Sequence, residues 1–460
     1  MRVFVYSVLV VMFGLSSAWS GTLQQALTNT YNCNPEFKEK QEAIKAEHEK
    51  IVQALAGFRP EISLNGNMTL SARNNSGNNK DNSRSSTPSG TTDNTRSAGI
   101  EFRQNLYKGG ATLAQTRGSE NIIRAAWSGL HSSEQDILLK AVQAYLELLS
   151  RYIQVDLHKS NKEALGKSLE DAQEKLRVGE ETRTQLANAQ GRFAEADAKL
   201  QKAVAELEGA KATYEKVTGL KAPLEMTKPT AFQVLPKTLE EALEIAETES
   251  PGIIAAQFEH LAAQAEAERI TGGLLPKVDF VASSTRNESR NGSNSYGVDN
   301  PNSKDYYTNN QIGVQATVPL YEGGAVRSQR RQALESASQK RIAIDSVRRK
   351  TREQVQQVWQ NYQAAKNNIE NYQKQVEAAQ ISLDGTTQEM NVGRKVLLDV
   401  LNARNALLQA QLDLVGASKD YCFESYRLLA VIGRLTAKNL KLEVDYFDPQ
   451  SHYQQVRDYL

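Results

Sequence analysis

Apolar residues recur at alternating spacings of three and four residues through two long stretches of the chain. In the first stretch the series comprises Leu186, Ala189, Phe193, Ala196, Leu200, Ala203, Leu207, Ala210, Tyr214 and Val217. In the second it comprises Val400, Ala403, Leu407, Ala410, Leu414, Ala417 and Tyr421. This spacing is typical of coiled-coil helices, and the alternation of bulky residues with alanine allows helix axes to approach closely.

Each of these stretches follows a segment that contains no proline, residues 111–177 and residues 325–391. A helix of that length extends about 100 Å at 1.5 Å per residue. A Val-Gly pair separates each long segment from the returning one. The pattern therefore predicts two long helical hairpins, at 111–218 and 325–433.

Strict alternation of apolar and polar residues marks four shorter segments. In the first of them the apolar side chains of Ile62, Leu64, Met68 and Leu70 fall on one face, with polar residues on the other. The alternation predicts strands at 61–72, 98–107, 277–283 and 311–319. The intervening segments are rich in Asn, Ser, Thr and Gly, which predicts extracellular polar loops at 73–97 and 284–310.

The same order of elements occurs twice along the chain. Leu23-x-x-Ala26-Leu27 recurs as Leu239-x-x-Ala242-Leu243, and both long proline-free segments follow a Gly-Gly pair. Matches that keep nearly constant register over some 200 residues indicate an internal duplication. We predict repeat 1 at 21–219, a linker at 220–238, repeat 2 at 239–435 and a C-terminal tail at 436–460. In repeat 1 the opening helix, 24–57, ends before Pro60.

The N-terminus carries the pattern of a secretory signal peptide. Residues 1–20 contain one basic residue, Arg2, then an apolar run and small residues at positions 18 and 20. The apolar run is too short to favour the alternative, a membrane anchor. We therefore expect an exported protein.

The composition of the chain argues against several classes of function. The 55 Lys and Arg residues balance 54 Asp and Glu residues, so no excess positive charge attracts nucleic acid. The mean hydropathy of −0.54 excludes helical membrane spans after the N-terminus. The five His residues are scattered, and neither a phosphate-binding loop nor a catalytic constellation is present. We expect no enzyme activity, no cofactor, no metal site and no nucleic-acid partner.

Four strands per chain leave two open sheet edges, which a lipid bilayer does not tolerate. Several chains would therefore pool their strands into one closed barrel, with apolar faces toward outer-membrane lipid and polar faces toward a water-filled lumen. The alternative is an exported structural or adhesive trimeric coiled-coil protein of the cell surface, without channel activity. Because the polar loops cannot cover the apolar faces, the pattern favours the barrel.

These features together resemble the TolC family of outer-membrane efflux and type I secretion channels, over essentially the whole mature chain. The resemblance is carried by the Leu-Tyr-x-Gly-Gly turns (106–110 and 320–324), the helix-to-strand switches at Pro60 and Pro276, and the hairpin segments 178–184 and 392–403. It implies an α+β membrane protein with an internal duplication. Three chains would form a coiled-coil α-helical barrel and a transmembrane β-barrel of four strands per chain.

The resemblance also implies partners and functional residues. The partners are a periplasmic adaptor (a membrane fusion protein) and an inner-membrane transporter, either proton-driven or of the ABC type. The periplasmic constriction maps to Asp399 and Asn402, and the links that close the hairpin tips map to Gln185, Met390 and Lys395. For Asp399 the alternative is stabilisation of a helix N-terminus. The strand–helix turns map to Gly109, Gly110, Gly323, Gly324, Pro60 and Pro276.

Two cysteines, Cys33 and Cys422, occur near opposite ends of the chain. Both fall near the outer ends of predicted helices, so a disulfide between them is one alternative. Two unpaired, buried thiols are the other. Comparing gels run under non-reducing and reducing conditions distinguishes the two alternatives.

Overall fold

The computed structural model describes residues 21–75, 89–180, 182–229, 231–232, 235–291 and 304–458. The predicted signal peptide, 1–20, lies outside the described residues. The chain divides into two units, which we describe separately. The hairpin unit comprises Met1–Ile44, Trp127–Ala255 and Asp345–Asp448, and the sheet unit comprises Lys45–Ala126, Ala256–Ile344 and Pro449–Leu460.

Nine helices and four strands occur among the described residues. The helices are α1 (Leu23–Cys33), α2 (Pro35–Leu55), α3 (Ala111–Arg177), α4 (Arg183–Thr218), α5 (Leu239–Glu249), α6 (Pro251–Gly272), α7 (Ala325–Asn391), α8 (Leu397–Val431) and α9 (Pro449–Asp458). The strands are β1 (Glu61–Asn75), β2 (Ser89–Lys108), β3 (Lys277–Asn291) and β4 (Lys304–Thr317). The helices α3 and α7 each contain 67 residues and coincide with the two proline-free segments. Within the described ranges, no helix combines the length and the apolar character needed to cross a membrane.

The backbone conformation shows the predicted duplication directly. Within the described part of the chain, every glycine with a positive φ angle has an equivalent 214 residues away. The four pairs are Gly109 and Gly323, Gly110 and Gly324, Gly179 and Gly393, and Gly219 and Gly433. Each pair stands at the same kind of turn, because the left-handed conformation costs a glycine little. The α+β fold class and the internal duplication are confirmed.

The opening helix of each repeat is broken, which differs from the single helix predicted at 24–57. Pro35 begins α2, where its missing N–H is not needed. The side-chain oxygen of Asn34 accepts hydrogen bonds from the backbone N–H groups of Glu36 (2.9 Å) and Phe37 (3.3 Å). Asn34 therefore caps the N-terminus of α2 directly after the last residue of α1. In repeat 2, Pro251 begins α6 directly after Ser250.

In the hairpin unit, the helices α4 and α8 end next to these two helix breaks. The Asn34 side-chain amide donates to the carbonyl oxygen of Val217 at 2.8 Å, and the Asn29 amide donates to that of Thr218. These amides satisfy carbonyl groups that the last turn of α4 leaves unpaired. At the corresponding place in repeat 2, Arg434 forms a two-point ion pair with Glu249 at 2.8 and 2.6 Å.

The two cysteines are free thiols, so the disulfide alternative is wrong. The expectation of two buried thiols holds for only one of them: Cys422 is buried, whereas Cys33 is exposed. The Cys33 thiol contacts the side-chain oxygen of Asn29 at 3.7 Å, within its own helix. Burial in α8 raises the pKa of the Cys422 thiol to about 11, which keeps it protonated and unreactive.

The sheet unit contains one antiparallel sheet with the strand order β1-β2-β3-β4. The strands are longer than predicted: β1 and β3 continue to Asn75 and Asn291, and β2 begins at Ser89. The loop predictions 73–97 and 284–310 are therefore wrong wherever these strands overlap them. In the extensions both faces are polar, so the alternation disappears although the backbone ladder continues. Residues 76–88 and 292–303 lie outside the described residues.

The C-terminal helix α9 packs in the sheet unit through a pair of histidines. His48 is fully buried, and its Nδ1 atom lies 2.9 Å from Nδ1 of His452, so one ring donates and the other accepts. The Tyr453 ring lies edge-on to His48, with 5.8 Å between centroids. Burial lowers the pKa of His48 to about 4; the nearby His452 lowers it further, and the Glu47 carboxylate opposes the shift.

We expect α9 to loosen as the pH falls. Packing of α9 over His48 favours the neutral form of the imidazole. The packing therefore stabilises the folded state fully above the ordinary histidine pKa of 6.5. It is lost as the pH falls from 6.5 toward 4. A nitroxide label at Gln454, in a Cys33→Ser background, would become more mobile at pH 5 than at pH 7. The same label in His48→Phe should show no such change; equal acid-induced mobility in both proteins would contradict the prediction.

Candidate functional site: the apolar sheet face and the hairpin turns

One face of the sheet is apolar and exposed. Because directly opposed residues of antiparallel strands share a face, the strand register places Ile62, Phe102, Ala282 and Ile312 in one row across all four strands. Leu64 extends this face along β1, and Val314 extends it along β4. The exposed fractions are 65% for Ile62, 82% for Leu64, 75% for Ile312 and 64% for Val314. An exposed apolar surface of this kind marks a contact with lipid or with another protein.

The opposite face of the same sheet is polar. Its register positions include Ser63, Asn65, Glu101 and Gln311. On this face the Arg103 guanidinium forms an ion pair with Glu101 at 3.0 Å. One sheet thus presents an apolar face and a polar face, which is the arrangement of a membrane-spanning strand with lipid on one side and water on the other.

The turns from strand to helix are built from the predicted glycines. Gly109 and Gly110 lie between β2 and α3, with φ angles of +60° and +77°. Gly323 and Gly324 precede α7, with φ angles of +63° and +81°. The Gly109 turn packs tightly against the end of α6. A Cβ atom placed on Gly109 would lie only 2.2 Å from the carbonyl oxygen of Gly272.

The predicted prolines stand at the opposite transition, from helix to strand. Pro60 lies between a short 3₁₀ turn, Ala56–Phe58, and β1. Pro276 lies directly before β3. Since proline disfavours a helical conformation in the residue before it, both positions end a helical segment where a strand must begin.

At the turn of the second hairpin, Asp399 occupies the first turn of α8. Its carboxylate accepts a hydrogen bond from the backbone N–H of Val396 at 3.3 Å. A carboxylate in this position accepts a hydrogen bond from an otherwise unpaired N–H group. Its negative charge also interacts favourably with the positive end of the helix dipole. The side chain is half-exposed, so stabilising the helix leaves part of the carboxylate open to solvent.

Asn402 connects the two hairpins. Its side-chain oxygen accepts a hydrogen bond from the Arg192 guanidinium of α4 at 2.9 Å. The same guanidinium forms an ion pair with Glu195 at 3.1 Å. Arg192 is a site residue that sequence reasoning missed, because an arginine on an exposed helix face carries no signal that distinguishes it from its neighbours.

Apolar packing supports this connection. The buried side chains of Leu165 from α3, Ala196 from α4 and Leu401 from α8 form one cluster, against which Phe193 and Leu397 pack. The cluster joins the start of α8 to the first hairpin. Leu401 directly precedes Asn402, so this packing fixes the helix that presents the Asn402 amide to Arg192.

The structure does not bring the three predicted tip-link residues together. Gln185 caps its own helix: its side-chain oxygen accepts from the Thr182 N–H at 3.0 Å, and its N–H donates to the Thr182 hydroxyl at 3.3 Å. Met390 packs against the apolar cluster of its own hairpin. Lys395 is exposed in the turn before α8. Gln185 and Met390 therefore each contact their own hairpin.

A second arginine of the hairpin unit was also missed from sequence. Arg404 lies one turn after Val400 in α8, and burial lowers the pKa of its guanidinium. Its Nε atom is buried and has no hydrogen-bond partner among the residues that the structure describes. A guanidinium in this state is costly in an isolated chain.

The pattern of the family described as "Outer membrane efflux protein" matches residues 22–220 and 242–434. The chain belongs to this family. The two matched regions coincide with the two repeats, so each repeat is one copy of the family's unit. The members of this family are channel and transport proteins rather than enzymes.

Three curated relatives show how similar the chain is to other outer-membrane and secretion proteins. The chain is 32% identical over 442 residues to the outer membrane efflux protein BepC of Brucella suis biovar 1 (strain 1330), covering 96% of this chain and 92% of that protein. It is 24% identical to the outer membrane protein TolC of Escherichia coli (strain K12), covering 94% and 87%. It is 27% identical to the alkaline protease secretion protein AprF of Pseudomonas aeruginosa, covering 68% and 64%.

Solved structures show the same fold. A crystal structure of CusC matches with a TM-score of 0.71 at 16% identity, covering 90% of this chain and 92% of that one. The open state of the Neisseria gonorrhoeae MtrE outer membrane channel matches with a TM-score of 0.67 at 14% identity, covering 91% and 90%. The predicted function and location are confirmed: the protein is an outer-membrane channel of the efflux and secretion class.

Proposed function

We propose that three copies of this chain close a twelve-stranded β-barrel in the outer membrane and form the exit duct of a tripartite efflux pump or type I secretion system. The observation that carries the proposal is the four-stranded sheet with one apolar and one polar face. An outward apolar face meets lipid, and an inward polar face lines a water-filled passage.

The sheet edges support closure by several copies. β1 and β4 are the edge strands, and the sheet is antiparallel throughout. Since β4 runs antiparallel to β1, β4 of one copy can pair with β1 of the next in the same pattern. Closure removes both open edges, which lipid does not tolerate.

The hairpin turns are the proposed constriction and docking region in the periplasm. In this proposal Asp399 presents its half-exposed carboxylate to the passage, and the Arg192–Asn402 hydrogen bond holds the second hairpin against the first in the closed state. A periplasmic adaptor binds the hairpin turns, and an inner-membrane transporter, proton-driven or ABC-type, supplies the energy. One relative is named for efflux and another for protease secretion, so the proposal keeps both kinds of transporter.

Conductance in planar lipid bilayers tests the proposal. We expect purified protein to migrate as a heat-sensitive trimer and to form channels of low conductance. Trimers that give no channels, even after the hairpin turns are loosened by Arg192→Ala, would instead support a structural or adhesive coiled-coil protein. Monomers that neither assemble nor conduct would contradict the barrel itself.

The same recordings test the closed state. Arg192→Ala removes one hydrogen bond per copy, worth about 1 kcal/mol each, so in a trimer the open fraction should rise about tenfold or more. The control is Arg177→Ala, since among the described residues Arg177 pairs only with Glu174 of its own helix. Asp399→Ala should weaken block by divalent cations, and adding Asn402→Ala should also raise the open fraction. Unchanged block in Asp399→Ala would assign that carboxylate to helix stabilisation alone.

A further inference from the structure

The apolar face of the sheet becomes basic toward the strand ends that are farthest from the helices. Arg96 of β2 and Arg286 of β3 occupy this face, because the register opposes Met68 to Arg96 and Ala98 to Arg286. Both arginines are exposed. An exposed arginine on a lipid-facing strand costs about 2–4 kcal/mol at the bilayer midplane and little near the membrane surface.

The described charged side chains near these strand ends give this face a positive balance. The acidic residue among them is Glu288, which the register opposes to Arg96. Arg96 and Arg286 together outnumber it, so the described part of this face carries a net positive charge where it leaves the apolar rows.

The spacing of the two arginines suits a phosphate group. Arg96 is opposed to Glu288, two positions along β3 from Arg286, and such diagonal neighbours lie about 7 Å apart. Two guanidinium groups at that separation can each donate a pair of hydrogen bonds to one anionic group between them. The Arg286 guanidinium lies over the Tyr306 ring, 5.7 Å from its centroid, which holds it against the sheet.

Apolar side chains flank the basic positions on the same face. Met68 and Leu70 of β1 are 62% and 73% exposed, and the register places them opposite Arg96 and Asn94. Tyr306 is 54% exposed, and tyrosine is enriched where a membrane meets water. A ligand for this surface therefore carries both anionic groups and acyl chains.

We propose that Arg96 and Arg286 bind the phosphate groups of the phosphorylated glycolipid that forms the outer leaflet of a Gram-negative outer membrane. The acyl chains of this lipid contact Met68 and Leu70. The inference rests on the proposed function, because it requires the apolar face to meet lipid. It adds a specific partner, since each copy in the trimer presents one such surface.

The binding of fluorescent lipid A to the purified trimer in detergent tests the proposal. Diphosphoryl lipid A should bind at least about tenfold more tightly than the same lipid after enzymatic removal of its phosphates. The double variant Arg96→Gln, Arg286→Gln should reduce affinity for the diphosphoryl form about tenfold, because each replacement removes a charged donor. The single variants should give intermediate affinities.

The matched control is Arg103→Gln, Lys277→Gln, which removes two positive charges from the opposite face. It should bind diphosphoryl lipid A as the unaltered protein does. Equal losses in both double variants would assign the effect to net charge and overturn the proposal. Equal binding of the phosphorylated and dephosphorylated lipids by the unaltered protein would by itself overturn the proposal.

The proposed function and this inference fail in different ways. Protein that forms no trimer and no channel in lipid bilayers contradicts the proposed function. Trimers that conduct but bind both forms of lipid A equally contradict only the inference. Each double variant is therefore tested for trimers and conductance before its lipid affinity is compared.

Discussion

Leu64→Arg should abolish assembly of the channel in the outer membrane. Leu64 is 82% exposed in the middle of the apolar face, where β1 opposes Ile100. An arginine near the bilayer midplane costs about 2–4 kcal/mol in each copy, and three copies in one barrel triple the loss. We expect no heat-sensitive trimer in outer-membrane fractions, measured by gel electrophoresis with and without heating.

The adjacent substitution Asn65→Arg is the control, since neighbouring residues of a strand point to opposite faces. It introduces the same side chain one position away, on the polar face. We expect normal trimers whose channels pass fewer cations, because the new charge lies beside the passage. Loss of trimers in both variants would show that β1 tolerates no arginine on either face and would contradict the lipid-facing orientation.

Gly109→Ala should destabilise the protein far more than the equivalent change in the other repeat, Gly323→Ala. Both residues have left-handed backbones, with φ angles of +60° and +63°, so alanine at either site costs about 1–2 kcal/mol. At Gly109 the new Cβ would also lie 2.2 Å from the Gly272 carbonyl oxygen and 2.8 Å from Leu275 Cβ. Around Gly323, no atom of the described residues lies within 4 Å of that position.

Because the obstacle at Gly109 is backbone, relief requires the β2–α3 turn to move away from the end of α6. We expect Gly109→Ala to lose at least about 2 kcal/mol more than Gly323→Ala, within the range of severe single substitutions. Thermal unfolding of the two variants in detergent, followed by circular dichroism, measures the difference. Equal midpoints would mean that the turn at Gly109 relaxes freely, contrary to its close packing.

The strands show where sequence reasoning reaches its limit. Alternation predicts a strand only where one face is apolar, as at Ile62 and Leu64. Beyond Leu70 both faces of β1 become polar, yet the backbone ladder continues to Asn75 opposite Ser89. Backbone hydrogen bonds do not depend on side-chain polarity, so the composition of 73–97 indicated a loop although residues 73–75 and 89–97 belong to strands.

The hairpin turns show a different limit. The position of Asp399 follows from the Val-Gly turn before it, but its hydrogen bond to the Val396 N–H depends on how α8 begins. The contact between Asn402 and Arg192 joins residues 210 positions apart. No spacing rule connects two such residues, because their meeting depends on how α8 packs against α4.

The sequence alone determined the periodic features of this protein: two repeats, long helices, strands with one apolar face, and glycine turns. These features depend on interactions between residues that are close together in the sequence, so the sequence pattern is sufficient to predict them. The tertiary structure decided the strand ends, the break at Asn34, the free state of Cys33 and Cys422, the Arg192–Asn402 contact and the basic end of the apolar face. Each of these depends on which distant residues the fold brings opposite one another, and that is fixed by strand register and helix packing.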